Sequence, residues 1–515
     1  MLPARNKICT ATRLKLRKLA PRLAKNAPCF AHYGCVPGLY PDATFLVTAS
    51  IRSATPTNFI AGPLGKMRAR LQKGIPINFL SKVVKCIYMI FLSRITVSIL
   101  LLLSYSCTYE YNNNNKIQLL DVESNIDKME VVNLSQFSND IKYVPLETAP
   151  NIFFQGLWEC IFSDGLILAR DLNKCILFDH NGKFKARIGK NGRGPGEYYN
   201  LKCADFGADS NIFIQGNMSL YEYDLNGSFI KQYENIFRLD NDTYNALARW
   251  IFFGDSLFLG HVANSNGLSE DKALIINKYG DIETHFKNHI FQNRERPTIG
   301  FFEDFAHIIK FDEKVFYKEF FNDTIFLLDD NLKFLPLYVF RFGKYKLPSS
   351  FRLNINPEDY INYIKLWEVF QTKDFLLLRF DFGKWFPAKR LTPKPNPYVI
   401  GGNPKWTNTI EVLGIFNKNT KELIFCKPTN TDNPLFTSGL YNDIDCGPRF
   451  FPSEQVNDST MVMKIDAKKL KEHIASDDFK NINPKYPEKK KQLEELAGRL
   501  TEYDNPVLML VTFNK

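Results

Sequence analysis

An all-β fold is expected from this sequence: a six-bladed β-propeller of four-stranded antiparallel blades, with a short helical insertion near the C-terminus. One ground is a repeated phrase. Cys175-Ile-Leu-Phe-Asp-His-Asn-Gly-Lys-Phe184 returns 45 positions later as Leu220-Tyr-Glu-Tyr-Asp-Leu-Asn-Gly-Ser-Phe229. Each copy is an apolar strand, an Asp, an Asn-Gly pair and a second strand. It reads as a hairpin closed by a two-residue type I′ turn, because Asn-Gly tolerates positive φ at both central positions. The second ground is the number of units. Apolar strands entered from turns recur at residues 165–168, 211–214, 256–259, 314–317, 375–378 and 460–463, six in all. Their spacing begins near 45 residues and is stretched by later insertions. That fits stacked blades better than a sandwich, whose strands recur every ~8–12 residues without a longer period.

The third ground is strand chemistry. Residues 183–188 (Lys-Phe-Lys-Ala-Arg-Ile) alternate charged and apolar side chains, as an outermost blade strand with one wet face should. Ile212-Phe213-Ile214 and Leu376-Leu377-Leu378 are apolar on both faces and belong between neighbouring blades.

Along the chain, residues 1–88 form a basic leader with 15 Lys plus Arg against one acid, Asp42. It has no period of 2 or 3.6 and is expected to be disordered or to precede the true start. The formal charge of +11 belongs to this leader. From Met89 onward the balance is 51 basic to 54 acidic residues, a net of −3, so nucleic acid is excluded as a partner. Residues 89–107 read as a secretory signal: Arg94, the apolar run from Ile95 to Leu103, then Ser104-Tyr105-Ser106-Cys107. The apolar run is shorter than the ~20 residues of a spanning helix. It resembles a bacterial lipoprotein signal, which makes Cys107 the candidate lipidated residue, although Leu103 stands four positions before it and Tyr105 is bulky. Residues 108–130, beginning Thr-Tyr-Glu-Tyr-Asn-Asn-Asn-Asn, are expected to be a flexible tether, and residues 131–515 the propeller.

Within the propeller, Gly192, Gly194, Pro195, Gly196 and Glu197 form a glycine-rich loop. A phosphate-binding loop needs glycines between a strand and a helix start, whereas here strand pattern resumes at Leu201. The loop is therefore read as the connection from one blade to the next. An insertion beginning Phe380-Asp-Phe-Gly-Lys-Trp385 carries Trp385, Arg390, Tyr398 and Trp406 between blade strands, and Arg449 follows near the last blade. These aromatic and basic residues are candidate ligand-binding loops, since loops on a rigid scaffold build recognition surfaces; the alternative is that they cover a blade edge. Leu493, Leu496, Leu500 and Tyr503 fall at helical spacing after Pro487, so an amphipathic helix should pack on the propeller. A strand near residues 141–146 is expected to close the ring beside the last strand.

The chemistry-bearing motifs are sparse. Cys160, Cys175, Cys203, Cys426 and Cys446 lack C-x-x-C spacing, so no zinc site is expected and buried thiols are the plain reading; a Cys160–Cys175 disulfide stays open. His285 and His289 lie four apart without the acid of H-E-x-x-H and read as a surface loop. No G-x-S-x-G is present, no catalytic residue is assigned, and no metal or cofactor is expected.

Gly189-Lys-Asn-Gly-Arg-Gly-Pro-Gly-Glu-Tyr198, with Phe178-Asp-His-Asn-Gly-Lys-Phe184 before it and Ile141-Lys-Tyr-Val-Pro-Leu-Glu147 upstream, resembles the six-bladed β-propeller lipoproteins of Bacteroidota, related in blade pattern to NHL-type propellers. The likeness is strongest over residues 130–235. It implies a propeller on an envelope lipoprotein, outer-membrane anchored and facing the periplasm or the cell surface, and it supplies no catalytic residues. The function expected is a binding or scaffold module for a glycan, peptide or envelope protein. The alternative is a glycan-active lyase or hydrolase with its site at the channel mouth. Perturbed ionisable groups gathered in a pocket would favour the enzyme, and aromatics with amides the binder.

Overall fold

The computed structural model describes residues 117–514 except 239–246, 255, 263–268, 290–305, 350–358, 360, 386–410 and 429–437. Three strands come before blade 1 in the chain: β1 (Gln118–Asp121), β2 (Met129–Glu130) and β3 (Asp140–Pro145). Blade 1 holds β4 (Glu159–Ser163), β5 (Leu166–Arg170), β6 (Cys175–Asp179) and β7 (Phe184–Arg187). Blade 2 holds β8 (Leu201–Phe206), β9 (Ile212–Gly216), β10 (Ser219–Tyr223) and β11 (Phe229–Tyr233). Blade 3 holds β12 (Leu247–Phe253), β13 (Leu257–Val262), β14 (Asp271–Asn277) and β15 (Ile282–Lys287). Blade 4 holds β16 (Ala306–Phe311), β17 (Lys314–Glu319), β18 (Thr324–Leu328) and β19 (Phe334–Arg341). Blade 5 holds β20 (Lys365–Gln371), β21 (Phe375–Asp381), β22 (Glu411–Asn417) and β23 (Leu423–Cys426). Blade 6 holds β24 (Glu454–Gln455), β25 (Thr460–Ile465) and β26 (Val507–Thr512), and takes β3 as its outermost strand.

β3 pairs antiparallel with β26 from Pro145 opposite Val507 to Asp140 opposite Thr512, so the two ends of the domain share one sheet, as expected. The six apolar strands read from the sequence are the second strands of the blades, β5, β9, β13, β17, β21 and β25, and not the first. Second strands are buried on both faces and so carry the plainest apolar signal, while the first strands β4, β8, β12, β16, β20 and β24 mix polar residues toward the axis.

The core lies between blades. Leu168 of β5 packs with blade 2 residues such as Ile212 and Ile214, whereas its neighbours Ile167 and Ala169 pack with Val462 and Leu508 of blade 6. In β9, Phe213 turns to Trp250 and Phe258 of blade 3. Leu377 faces Met461 and Met463, while Leu376 and Leu378 face blade 4. Period-2 alternation thus gives each second strand two blade interfaces. Each fully buried Leu, Ile or Phe there contributes about 1.5–3 kcal/mol, so closure of the ring is driven by apolar surface that no single blade can hide.

The recurring Asp has a defined role. In blade 1 the Asp179 carboxylate accepts the Asn181 N–H (2.8 Å) and the Lys183 N–H (3.0 Å). Asp224 repeats this with Asn226 (2.9 Å) and Ser228 (2.8 Å), Asp329 with Asn331 (3.0 Å) and Lys333 (2.7 Å), and Asn277 with Tyr279 (2.9 Å) and Asp281 (3.1 Å). These are Asx turns. Positive φ occurs at Gly182 (77°) and Gly227 (81°) and not at the preceding Asn, so the expected two-residue type I′ turn is corrected to a longer turn with one left-handed position. The carboxylate stabilises the extra residue that a two-residue turn would omit.

Other corrections follow from packing. The tether expected over residues 108–130 is folded from Ile117 on: β1 adds parallel to β19, and β2 adds parallel to β23, as fifth strands covering those edges. His285 lies on strand β15, not in a loop, with Nδ1 2.9 Å from Asp271 Oδ2. The C-terminal insertion holds three helices: α1 (Ala467–Ala475), α2 (Asp477–Asn481) and α3 (Pro487–Arg499). Leu493 and Leu496 of α3 are buried, but Tyr503 lies beyond it and is 80% exposed. The five cysteines are buried free thiols, so the Cys160–Cys175 disulfide left open by the sequence is not formed.

Chain direction sorts the connections onto two faces. Each first strand leaves the face reached by the preceding fourth strand, and the second strand returns to it. The turns 1→2 and 3→4 therefore share one face. The 4→1 and 2→3 connections share the other, and they include the glycine loop, the segment from Phe382 to β22 and the helical insertion. Every long connection leaves and rejoins this second face.

Candidate functional site

The six first strands surround a central cavity of about 1050 Å³. Polar side chains of these strands, and of β25 behind β24, join neighbouring blades. Asp205 accepts the Phe252 N–H (2.8 Å), His307 Nδ1 accepts the Val369 N–H (2.9 Å), Gln455 accepts the Gln371 N–H (3.0 Å), and Lys464 donates to the Trp158 carbonyl (2.5 Å). The wall is thereby fixed before any ligand arrives.

The long-loop half of the cavity is charged. Glu159 of β4 sits opposite Arg170 of β5 across a strand pair and accepts from its Nη2 (2.7 Å) and Nε (2.7 Å). Arg249 of blade 3 reaches the other oxygen (2.8 Å), spanning past blade 2. Blade 5 repeats the unit: Glu368 of β20 is opposite Arg379 of β21, which bonds Glu368 (2.8 Å) and Glu411 (2.6 Å) and lies over Phe451 (5.5 Å). Between them, Glu454 of blade 6 pairs with Lys464 (2.5 Å). On the short-turn side Lys310 approaches Asp205 (3.5 Å).

Burial pushes the Glu159 carboxyl up, but Arg249 and Arg170 outweigh it and hold it at about 2. Burial lowers His307 to about 4, against the opposing charge of Glu368, so the imidazole is neutral near pH 7. With Nδ1 accepting, its Nε2 carries the hydrogen. Glu368 is held down by Arg379 and His307 against burial, whereas burial raises Glu454 and Asp205. Seven Lys and Arg face eight Asp and Glu along the wall, so the site is rich in charge with almost no net charge. Trp158, 49% exposed, and Trp367 add aromatic surface.

The residues singled out from sequence lie elsewhere. Trp385 donates through Nε1 to the Asn362 carbonyl (2.8 Å) and stands edge-on to Tyr345 (4.9 Å). Arg449 is 7% exposed, donating to the Lys427 carbonyl (3.2 Å) over the Tyr441 ring. Neither lines the cavity. Arg390, Tyr398, Trp406 and Cys107 lie outside the described residues. The glycine loop joins β7 to β8 and closes on its own anion: Glu197 accepts the Gly194 N–H (3.0 Å) and pairs with Lys190 (3.1 Å). A Cβ at Gly192 would lie 1.9 Å from that carboxylate. The cavity charges were missed, yet a signal was present. Trp-Glu followed eleven positions after the Glu by Arg occurs at 158–170 and again at 367–379.

Among the described residues, no group of His, Cys, Asp and Glu is arranged to hold a metal ion, and no helix is long and apolar enough to cross a membrane.

Comparison with solved structures finds one of similar fold. A Bacteroides fragilis protein described as exported superposes with a TM-score of 0.55 at 18% identity, covering 78% of this chain and 100% of that one. A member of the duf4221 family from Bacteroides vulgatus follows at a TM-score of 0.42 and 13% identity, covering 73% and 97%. At such identity the first likeness speaks for the fold alone. No curated protein matches the chain. The profile of the domain of unknown function DUF4934 matches residues 117–512, from β1 to the end of β26, and the chain therefore belongs to the DUF4934 family.

Proposed function

We propose that this protein is an envelope-anchored binding or scaffold module that receives a glycan, peptide or protein partner at the long-loop face of its propeller. The observation that carries the reading is the central cavity of about 1050 Å³, a size suited to a ligand, with donors and acceptors immobilised by ion pairs and a half-exposed Trp158 in its wall. Arg170, Arg379 and Lys464 each hold a carboxylate in place, so the wall is preorganised at little cost on binding. Anchoring rests on the segment 89–107 with Cys107 as the acylated residue, and the exported description of the B. fragilis neighbour accords with it. The partner set has no nucleic acid, and contact with the membrane is through the lipid only.

A glycan and peptide array with the purified protein tests the reading; binding abolished by Arg249→Ala supports it, and an array without hits removes it. Fatty-acid labelling lost in Cys107→Ala supports the anchor, and labelling that survives refutes it. A second reading, a glycan-active enzyme, draws on the gathering of His307, Glu454 and Glu368 in one cavity. Their carboxylates are engaged by cations, and ion-pair networks perturb pKa without catalysis, so binding is the preferred reading. Release of new sugar ends on incubation with a bound glycan would reverse that preference.

A further inference from the structure

We infer that the cavity's ligand is a neutral oligosaccharide, stacked on Trp158 and read through its hydroxyls by the Glu368–Arg379–Glu411 cluster; this rests on the binding-module reading above. Three observations lead there. The first is charge balance. An anionic glycan or acidic peptide calls for unpaired cations, but six of the wall's seven cations, all except Lys202, are paired with carboxylates, Arg170 and Arg379 at 2.6–2.8 Å. A charged ligand would have to break these pairs, whereas a hydroxyl both donates to a carboxylate and accepts from a guanidinium without disturbing either.

The second is accessibility. Glu411 is 41% exposed and Glu368 31%, so both have free lone pairs toward the cavity beyond those engaged by Arg379. The third is the duplicated unit. Trp158-Glu159 with Arg170 and Trp367-Glu368 with Arg379 occupy equivalent positions in blades 1 and 5, and only blade 6 separates them. Lys464 of blade 6 fixes the Trp158 backbone through its carbonyl. The exposed Trp158 ring beside two such acid–base pairs suits the C–H face of one sugar ring and the hydroxyl edges of its neighbours, whereas Trp367 packs against Phe320 and backs its pair from within the wall.

Calorimetric titration of the purified full chain decides it, using neutral, uronate-bearing and sulfated oligosaccharides and an extended peptide library, at about 50 and about 500 mM salt. Neutral oligosaccharides are expected to bind with affinity nearly independent of salt. Trp158→Ala should weaken binding at least ~10-fold, with Trp158→Phe restoring much of it and showing that the fold is intact, and Glu411→Gln should weaken it a further few-fold. Exclusive, salt-sensitive binding of uronate or sulfated sugars would overturn the inference and leave the binding-module reading standing, as would binding of peptides alone. Neutral sugars binding equally well to Trp158→Ala would also overturn it. Failure of every probe would overturn both.

Discussion

The two faces of the ring are built from the same strands and do different work. On the short-turn face, Asp179, Asp224, Asn277 and Asp329 each staple one hairpin with two short hydrogen bonds, and each of these turns is closed by its own few residues. On the long-loop face, pairs within a blade are joined by polar contacts that cross blades: Arg249 reaches Glu159 past an intervening blade, and Lys464 reaches Trp158. Local, repeated interactions leave a signature in sequence; convergent ones do not. The difference teaches that the repeat marks the scaffold, while the end with the long connections gathers charges that no single blade supplies.

The largest expected effect lies on the long-loop face. Lys365 and Asp381 form an ion pair of 2.8 Å with both side chains 1% exposed. Asp381→Ala leaves a buried ammonium without its carboxylate and should cost about 3–5 kcal/mol by urea unfolding. A loss below ~1 kcal/mol would place that pair in water and blur the contrast between the faces.

Acid should separate two cavity groups. His307 at about 4 and Glu159 at about 2 both bind fewer protons in the folded protein than in the unfolded chain, so stability rises with pH through each window. His307 should remove about 3 kcal/mol as pH falls from ~6.5 to ~4, and Glu159 a similar amount from ~4.5 to ~2. His307→Asn should flatten the upper window and Glu159→Gln the lower one in unfolding measured across pH. Unchanged slopes would mean that neither group is desolvated as the cavity geometry requires.

The short-turn face should respond in smaller and repeatable steps. Gly227 has φ 81°, and a Cβ there would meet the Arg187 carbonyl oxygen at 2.1 Å, so Gly227→Ala should cost about 2 kcal/mol. Asp224→Ala, which removes two turn hydrogen bonds, should cost about 1 kcal/mol. Equal losses for Asp179→Ala and Asp224→Ala would sharpen the view of equivalent staples; a loss confined to one blade would break it. Smallest of all, a thiol reductant should leave the thermal midpoint unmoved, because the five described cysteines are free.

Sequence alone determined the six-fold repeat, the strands buried on both faces, the closing strand near 141–146 and the helix after Pro487. Each follows from local period and turn chemistry, which a chain displays wherever it lies. Tertiary structure decided the rest. The parallel strands β1 and β2 depend on edges offered by blades more than 200 residues away, so nothing in residues 117–130 announces them. Trp158 with Glu159, Arg249, His307 and Arg379 come from four blades, and their meeting is a property of ring closure. The aromatics and arginines of the loops were conspicuous in sequence because they interrupt a pattern. The cavity's charges were inconspicuous because each occupies an ordinary place on an inner strand, and only the common axis gives them one another as neighbours.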